Sequence, residues 1–320
     1  MMSRQGIAAV YRAPSAVWFR VAVAGALVCA ICSPASAQHS FDTPQAAAEA
    51  LVNAARAGNS NGILNILGYR GADIVLSGDA VADANTRERF VGAYDTKHDV
   101  SMAGDNNATL VVGASDHPFP IPIVRKGDKW AFDTMAGRNE ILYRRIGRNE
   151  LDAIQTSLAI VDAQNDYADL SRTGTGASTY AQRILSQPGK KDGLYWPASQ
   201  GDSASPLGEL VAGATAEGYR PGDRPTPYRG YYFRILKRQG PDAPGGALAY
   251  VVDGKMIGGF ALVAYPADYR NSGVMTFIVN HAGEVFQKDL GPRTARIATS
   301  MTTYNPDKSW TKADTANPGR

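Results

Sequence analysis

The sequence predicts an α+β fold: N-terminal helices, a small antiparallel sheet, one long central helix, and a C-terminal antiparallel sheet packed on that helix. Three observations carry this expectation. Helix-boundary signals bracket TPQAAAEALVNAARAG near the start, and the stretch NEILYRRIGRNELDAIQTSLAIVDAQNDYADL holds a helical period between two β-rich regions. The last third of the chain is a series of short strand-like runs joined by turn residues. Helices first and strands afterwards is the α+β pattern, unlike the regular alternation that builds a parallel sheet.

Residues 1–37 are expected to be a secretory signal, because Arg4, Arg12 and Arg20 precede the apolar run VAVAGALVCAIC and SPASAQ follows it. That run is too short to span a bilayer, and Ala35-Ser36-Ala37 is the small-x-small pattern that places cleavage after Ala37. A periplasmic or secreted location follows. The formal charge of +3 then falls to zero, since the segment carries three arginines and no acidic residue. A neutral mature chain gives no support to nucleic-acid binding, which needs a basic stripe. Cys29 and Cys32 leave with the signal, so no disulfide, thiol nucleophile or thiolate metal site is expected. Later segments lack the roughly 20 apolar residues of a membrane span, and no stable membrane insertion is expected.

Residues 38–138 are expected to form an N-terminal α+β domain and residues 139–320 a second unit. Thr43 can cap the first helix, Pro44 suits its first turn, Gly58 can close it, and Ala47, Leu51 and Ala54 form its apolar stripe. GILNILG and ADANTRERFVGAY supply two more helices, the latter with Phe90, Val91 and Tyr94 inward. ATLVVGA and FPIPIVRKGDKWAFDT then read as strands, the last pair joined by Lys126-Gly127-Asp128. This order is similar to the cone-shaped fold of the nuclear-transport-factor-2 and cystatin-like group, in which a sheet wraps a helix and often leaves a pocket.

The long helix is expected from Asn139 to about Leu170, with a break at Gly147 and a stripe through Leu151, Ile154, Leu158 and Val161. SRTGTGAST and SQPGKKDGLYWPASQGDSASP are loops, rich in Gly, Ser, Pro and charge, with a short turn of YAQRIL between them. Ser205-Pro206 begins another helix that ends at Gly218. YYFRILKRQ, LAYVVDGKMIGGFALVAYP, VMTFIVN and EVFQKDL complete a mostly antiparallel meander.

The phrases RRIGRNELDAIQ, PGKKDGLYWP, YRGYYFRIL, MIGGFALVAYPADY, SGVMTFIVN and QKDLGP resemble those of a bacterial family called domain of unknown function 2950. The resemblance runs from FDTPQAAAEALV to NPDKSW. It implies an exported, mainly proteobacterial protein and carries no reaction, ligand or catalytic residue onto this chain. The order of long helix, loops and the strand phrase around YPADYRNSGVMTFIVNHAGEVF is also similar to the globular end of type II pseudopilins. The helix here lies in mid-chain, so only the sheet-on-helix architecture carries over, without pilin polymerisation.

Chemistry-bearing motifs are sparse. His39, His98, His117 and His281 are scattered, so no metal site is expected, and no cofactor motif is present. Neither GxSxG nor SxxK occurs; Ser205 reads as a helix cap, and TGTGAS lacks the ending of a phosphate loop. Glu209 and Glu217 stand roughly 12 Å apart along one helix, too far to pair. His281 and Asp289 lie on one hairpin, separated by roughly 16 Å.

The aromatic loop carries more. Tyr195 and Trp196 offer flat faces beside Lys190, Lys191 and Asp192, or else Trp196 plugs the loop onto the core. Arg234 is a candidate anion partner or half of an internal salt bridge, and His281 a docking contact at a hairpin tip. Three readings stay open. The first, which the missing catalytic motifs favour, is a non-catalytic envelope module binding a peptidoglycan-type glycan, peptide or protein through the loops from Gly174 to Pro206. The second is a cell-wall hydrolase or transpeptidase-like enzyme built from Asp192, His281 and Asp289. The third is a scaffold in a pseudopilin-like assembly.

Overall fold

A computed structural model describes residues 38–175, 177–197, 203–222 and 225–315. The expected signal at 1–37 lies outside the described residues. The chain is α+β, as the sequence predicts.

The first helix, α1 (Pro44–Arg56), starts where Thr43 Oγ1 accepts the Ala46 amide at 3.1 Å, and buries Ala47, Leu51 and Ala55. Asn59 caps α2 (Ser60–Leu67) in the same way, its Oδ1 accepting from the Gly62 amide at 2.9 Å. A 3-10 turn at Tyr69–Gly71 and a single turn, α3 (Ala72–Val75), lead to α4 (Ala80–Thr96). Five strands follow: β1 (His98–Met102), β2 (Asn107–Val112), β3 (His117–Pro118), β4 (Ile123–Lys126) and β5 (Lys129–Phe132). They pair antiparallel in the order β1-β2-β4-β5, with β3 on β2. Leu51, Ile63, Leu110, Ile123 and Phe132 fill a core between these helices and the sheet. The sequence did not predict β1. Val100 and Met102 are its two apolar residues, one half-buried and the other exposed, too few for an alternation to mark it.

The central helix α5 (Thr134–Thr175) is 42 residues long. It begins five residues before the expected Asn139, tied down by Thr134 Oγ1 donating to the Leu67 carbonyl at 2.6 Å, and it runs unbroken through Gly147. Glycine inside a helix costs roughly 1 kcal/mol, which packing on this length of helix easily offsets. Ile141 packs on the first core, while Ala153, Ile154, Ile160, Val161 and Ala163 enter the second. The predicted stripe is therefore too narrow: Leu151 and Leu158 are only half-buried, and Ser157 and Gln164 are buried instead. The reason is that α5 is covered by a loop as well as by a sheet. Gln164 exchanges two hydrogen bonds of 2.8 Å with the backbone of Ala181, anchoring that loop.

Helix α6 (Gly208–Ala216) starts later than expected. Pro206 and Leu207 form a turn, and the Ser205 carbonyl, not its hydroxyl, accepts from the Gly208 amide at 2.8 Å. Next come β6 (Tyr231–Leu236), β7 (Arg238–Gln239), β8 (Leu248–Ala249), β9 (Val251–Val252), β10 (Lys255–Met256), β11 (Ala261–Pro266), β12 (Met275–Asn280) and β13 (Val285–Asp289). Helix α7 (Thr294–Ser300) and β14 (Thr311–Lys312) complete the described chain. The main C-terminal sheet is antiparallel in the order β14-β13-β12-β11-β6, and every residue of β11 is buried. Glu150 Oε1 on α5 accepts the amides of Val274 and Met275, both at 2.9 Å, fixing the start of β12 against the helix. Among the described residues no helix is long and apolar enough to cross a membrane.

Candidate functional site

The residues singled out in the sequence divide into three places. Lys190, Lys191, Asp192, Tyr195 and Trp196 share one loop, but Trp196 does not present a platform: it is 5% exposed. Its Nε1 donates to the Ser203 carbonyl at 3.1 Å, Tyr167 meets its ring edge-on with centroids 6.5 Å apart, and Lys191 Nζ lies 5.7 Å from its centroid. The plug is the arrangement present. Asp192 Oδ1 accepts the Gln187 amide at 2.8 Å, Lys190 Nζ reaches Gln187 Oε1 at 2.9 Å, and Tyr195 pairs through its backbone with Ile184 and Ser186, so these groups close the loop. A shallow pocket of about 440 Å³ touches Tyr167, Leu170, Lys191, Trp196 and Ser203.

Arg234 lies elsewhere, on β6. With the described residues it makes no salt bridge of the kind weighed from sequence; its Nη2 donates to the carbonyls of Ala298 (2.6 Å) and Met301, at the end of α7. Carbonyls left open at a helix C-terminus accept a guanidinium well. His281 is exposed at the tip of the β12–β13 hairpin, edge-on to Phe260. Asp289 stands at the far end, opposite Met275, where it accepts from the Tyr269 hydroxyl at 3.1 Å and the Gly291 amide at 2.7 Å. Asp192, His281 and Asp289 thus share no partner.

A larger cleft, about 700 Å³, opens between α4, α5 and the segment from Glu217 to Arg229. Leu51, Ile63 and Leu67 from α1 and α2, with Phe90, Phe119 and Ile121, give it an apolar floor. Its mouth is charged. Ile141, Arg145, Arg148, Asn149 and Asp152 step along α5 by four, three, one and three residues, which is one face of a helix.

The mouth is held by buried polar groups. Asp79, 1% exposed, caps α4 through Oδ1, which accepts the amides of Val81 (3.2 Å) and Ala82 (3.0 Å). Its Oδ2 accepts from the Tyr219 hydroxyl and the Gly230 amide, each at 2.9 Å. Burial, and then the Asp79 charge, push the Tyr219 hydroxyl far up, so it stays a proton donor. Gly230 is required where it is: its φ is +82°, and a Cβ there would come within 2.5 Å of Asn149 Nδ2.

Arg229 sits beside it, bonded to Glu217 through Nε (3.2 Å) and Nη2 and to Asp152 Oδ1 through Nη1 (3.1 Å). The hydrogen bonding to Glu217 raises its pKa further. Arg145 Nη1 donates to the Asp73 carbonyl (2.7 Å) and Asn271 Oδ1 (2.5 Å), and Nη2 to the Ile74 carbonyl (2.6 Å); burial lowers its pKa. Asp83 accepts the Ser77 amide at 3.1 Å, and burial raises its pKa. Each mouth carboxylate is therefore engaged by a donor of the protein: Asp83 by Ser77, and Asp152 and Glu217 by Arg229. Arg87 and Arg148 have no hydrogen bond or ion pair to another described residue.

The sequence marked Leu51 and Phe90 only as inward-facing and Glu217 only as half of a rejected pair with Glu209, and it did not mark Asp79, Arg145, Arg148, Asp152, Tyr219 or Arg229. The one available signal was RRIGRNELD, a charged face at helical spacing, which has the same pattern whether it meets solvent or a cavity. Among the described residues no group of three His, Cys, Asp or Glu is placed to hold a metal ion. A family model described as Protein of unknown function (DUF2950) matches residues 38–313, which include both walls of the cleft. No curated protein and no solved structure matches the chain.

Proposed function

The chain belongs to the family described as Protein of unknown function (DUF2950), and on that premise we propose that it is an exported, non-catalytic binding module whose cleft between α4 and α5 takes an apolar or amphipathic small molecule. The cleft is the observation that supports this. Its volume of about 700 Å³ lies in the range of roughly 300 to 1,000 Å³ typical of small-molecule sites, and it joins an apolar floor to a few convergent polar groups. The mouth carboxylates are occupied in structural bonds, which favours binding over acid–base chemistry.

Titration with a neutral, environment-sensitive naphthylamine dye is expected to give saturable fluorescence enhancement. Ile141→Trp, which fills the cleft from α5, is expected to lower it. Absence of saturable enhancement with wild-type protein overturns the reading. Export rests on the segment ending at Ala37: N-terminal sequencing of protein from an envelope fraction is expected to begin at Gln38, and retention of Met1 would count against it.

The shallow pocket beside Tyr167 and Trp196 favours a second reading, in which peptidoglycan or an envelope protein docks on the Lys190–Trp196 loop. Co-sedimentation with peptidoglycan that is lost on replacing Lys190 and Lys191 supports it; co-sedimentation indifferent to both lysines removes it.

A further inference from the structure

The charges around the cleft do not balance. Arg87, Arg89, Arg145, Arg148 and Arg229 line it against Asp83, Asp152 and Glu217, an excess of two positive charges. Arg229 is matched by Asp152 and Glu217, Arg145 is bound to carbonyls and Asn271, and Arg89 donates to Thr86 Oγ1. Arg87 of α4 and Arg148 of α5 are the two of these arginines with no hydrogen bond or ion pair to any described residue. Both stand at the rim, Arg87 half-buried and Arg148 exposed, over a cavity whose inner wall is apolar, with the Phe90 and Phe119 rings 5.3 Å apart.

Apolar walls exclude water and weaken screening, so an unmatched guanidinium there attracts an anion more strongly than one on an open surface. Its planar fork matches a carboxylate with two parallel hydrogen bonds. A neutral apolar ligand would gain nothing from either arginine, and a cation would be repelled. Resting on the cleft reading above, we propose that the ligand is an amphipathic monocarboxylic acid, its tail against Phe90 and Phe119 and its carboxylate held by Arg87 and Arg148.

The test compares octanoate, octanol and octyltrimethylammonium as displacers of the naphthylamine dye from the folded protein, with hexanoate as the shorter acid. Octanoate is expected to bind at least about tenfold more tightly than octanol, the step that one charge-assisted hydrogen bond supplies. The ammonium is expected to bind more weakly than either, and each methylene lost from the acid to weaken binding about fourfold. Arg87→Gln/Arg148→Gln, checked by thermal melting to fold as wild type does, is expected to bring octanoate down to octanol while leaving octanol unchanged. Equal binding of octanoate and octanol to wild type, or a preference that survives in the double variant, overturns the proposal and leaves the cleft reading standing. Failure of the dye to bind overturns both.

Discussion

The hydroxyl of Tyr219 donates to the carboxylate of Asp79 at 2.9 Å across 140 residues of chain, and this bond joins the first turn of α4 to the far wall of the cleft. The same carboxylate caps α4 and accepts the Gly230 amide. Asp79→Ala removes an N-cap and strands two further buried donors, so a loss of roughly 3 kcal/mol or more is expected in urea unfolding. Tyr219→Phe deletes that bond and the one its hydroxyl accepts from the Arg229 amide at 3.1 Å, and is expected to cost about 1 to 3 kcal/mol. The two together should cost less than their sum, because the Tyr219 hydroxyl and Asp79 share one interaction. Strict additivity would show that the bond contributes nothing.

Two glycines test backbone conformation against helix propensity. Gly230→Ala places a methyl group on Asn149 Nδ2 at φ +82° and disturbs the 2.9 Å bond from Asn149 to the Ser272 carbonyl. A loss of roughly 2 kcal/mol or more is expected. Gly147→Ala, in mid-α5 with nothing within 4 Å of the added carbon, is expected to stabilise by about 0.5 to 1 kcal/mol. Thermal melts read both, and a Gly147→Ala variant that melts lower would mean α5 needs flexibility there.

Trp196→Ala is expected to act on stability before it acts on any ligand. Removing a buried indole costs roughly 3 to 5 kcal/mol, and the loop it holds is expected to become a site of limited proteolysis. Wild-type melting and an unchanged digestion pattern would contradict the plug.

Asp83 makes stability depend on pH. Burial raises its folded pKa above the ordinary 3.8, so the folded protein keeps a proton that the unfolded chain has released. Its contribution is fully present below 3.8 and is lost as pH rises through the raised value. Denaturant midpoints for wild type minus Asp83→Asn are expected to fall as pH rises across that window; a difference that rises or stays flat would assign the burial effect to another group.

Much of this architecture was legible in the residues alone. Thr43 and Pro44 mark the start of α1, and the alternation of VMTFIVN with the turn at Asn280–Gly283 marks the β12–β13 hairpin. Those signals are local, because a cap or an alternating face is decided within a few residues. The largely exposed strand β1 and the path of α5 through Gly147 were not legible, since pairing and packing outweigh local preference there.

The sequence by itself determined the α+β class, the order of the helices, the antiparallel meander and the separation of His281 from Asp289. Only the tertiary structure decided that Trp196 is a plug and that Arg145, Asp152, Glu217 and Arg229 surround one cleft braced by Asp79. The bonds from Arg145, Arg229 and Gly230 to α3, α5 and Asp79 span 71 to 151 residues, whereas the Arg229–Glu217 pair spans 12 and the Ser77–Asp83 bond 6. A charged helix face has the same spacing whether it meets water or a cavity, and the fold alone brings the second wall to it.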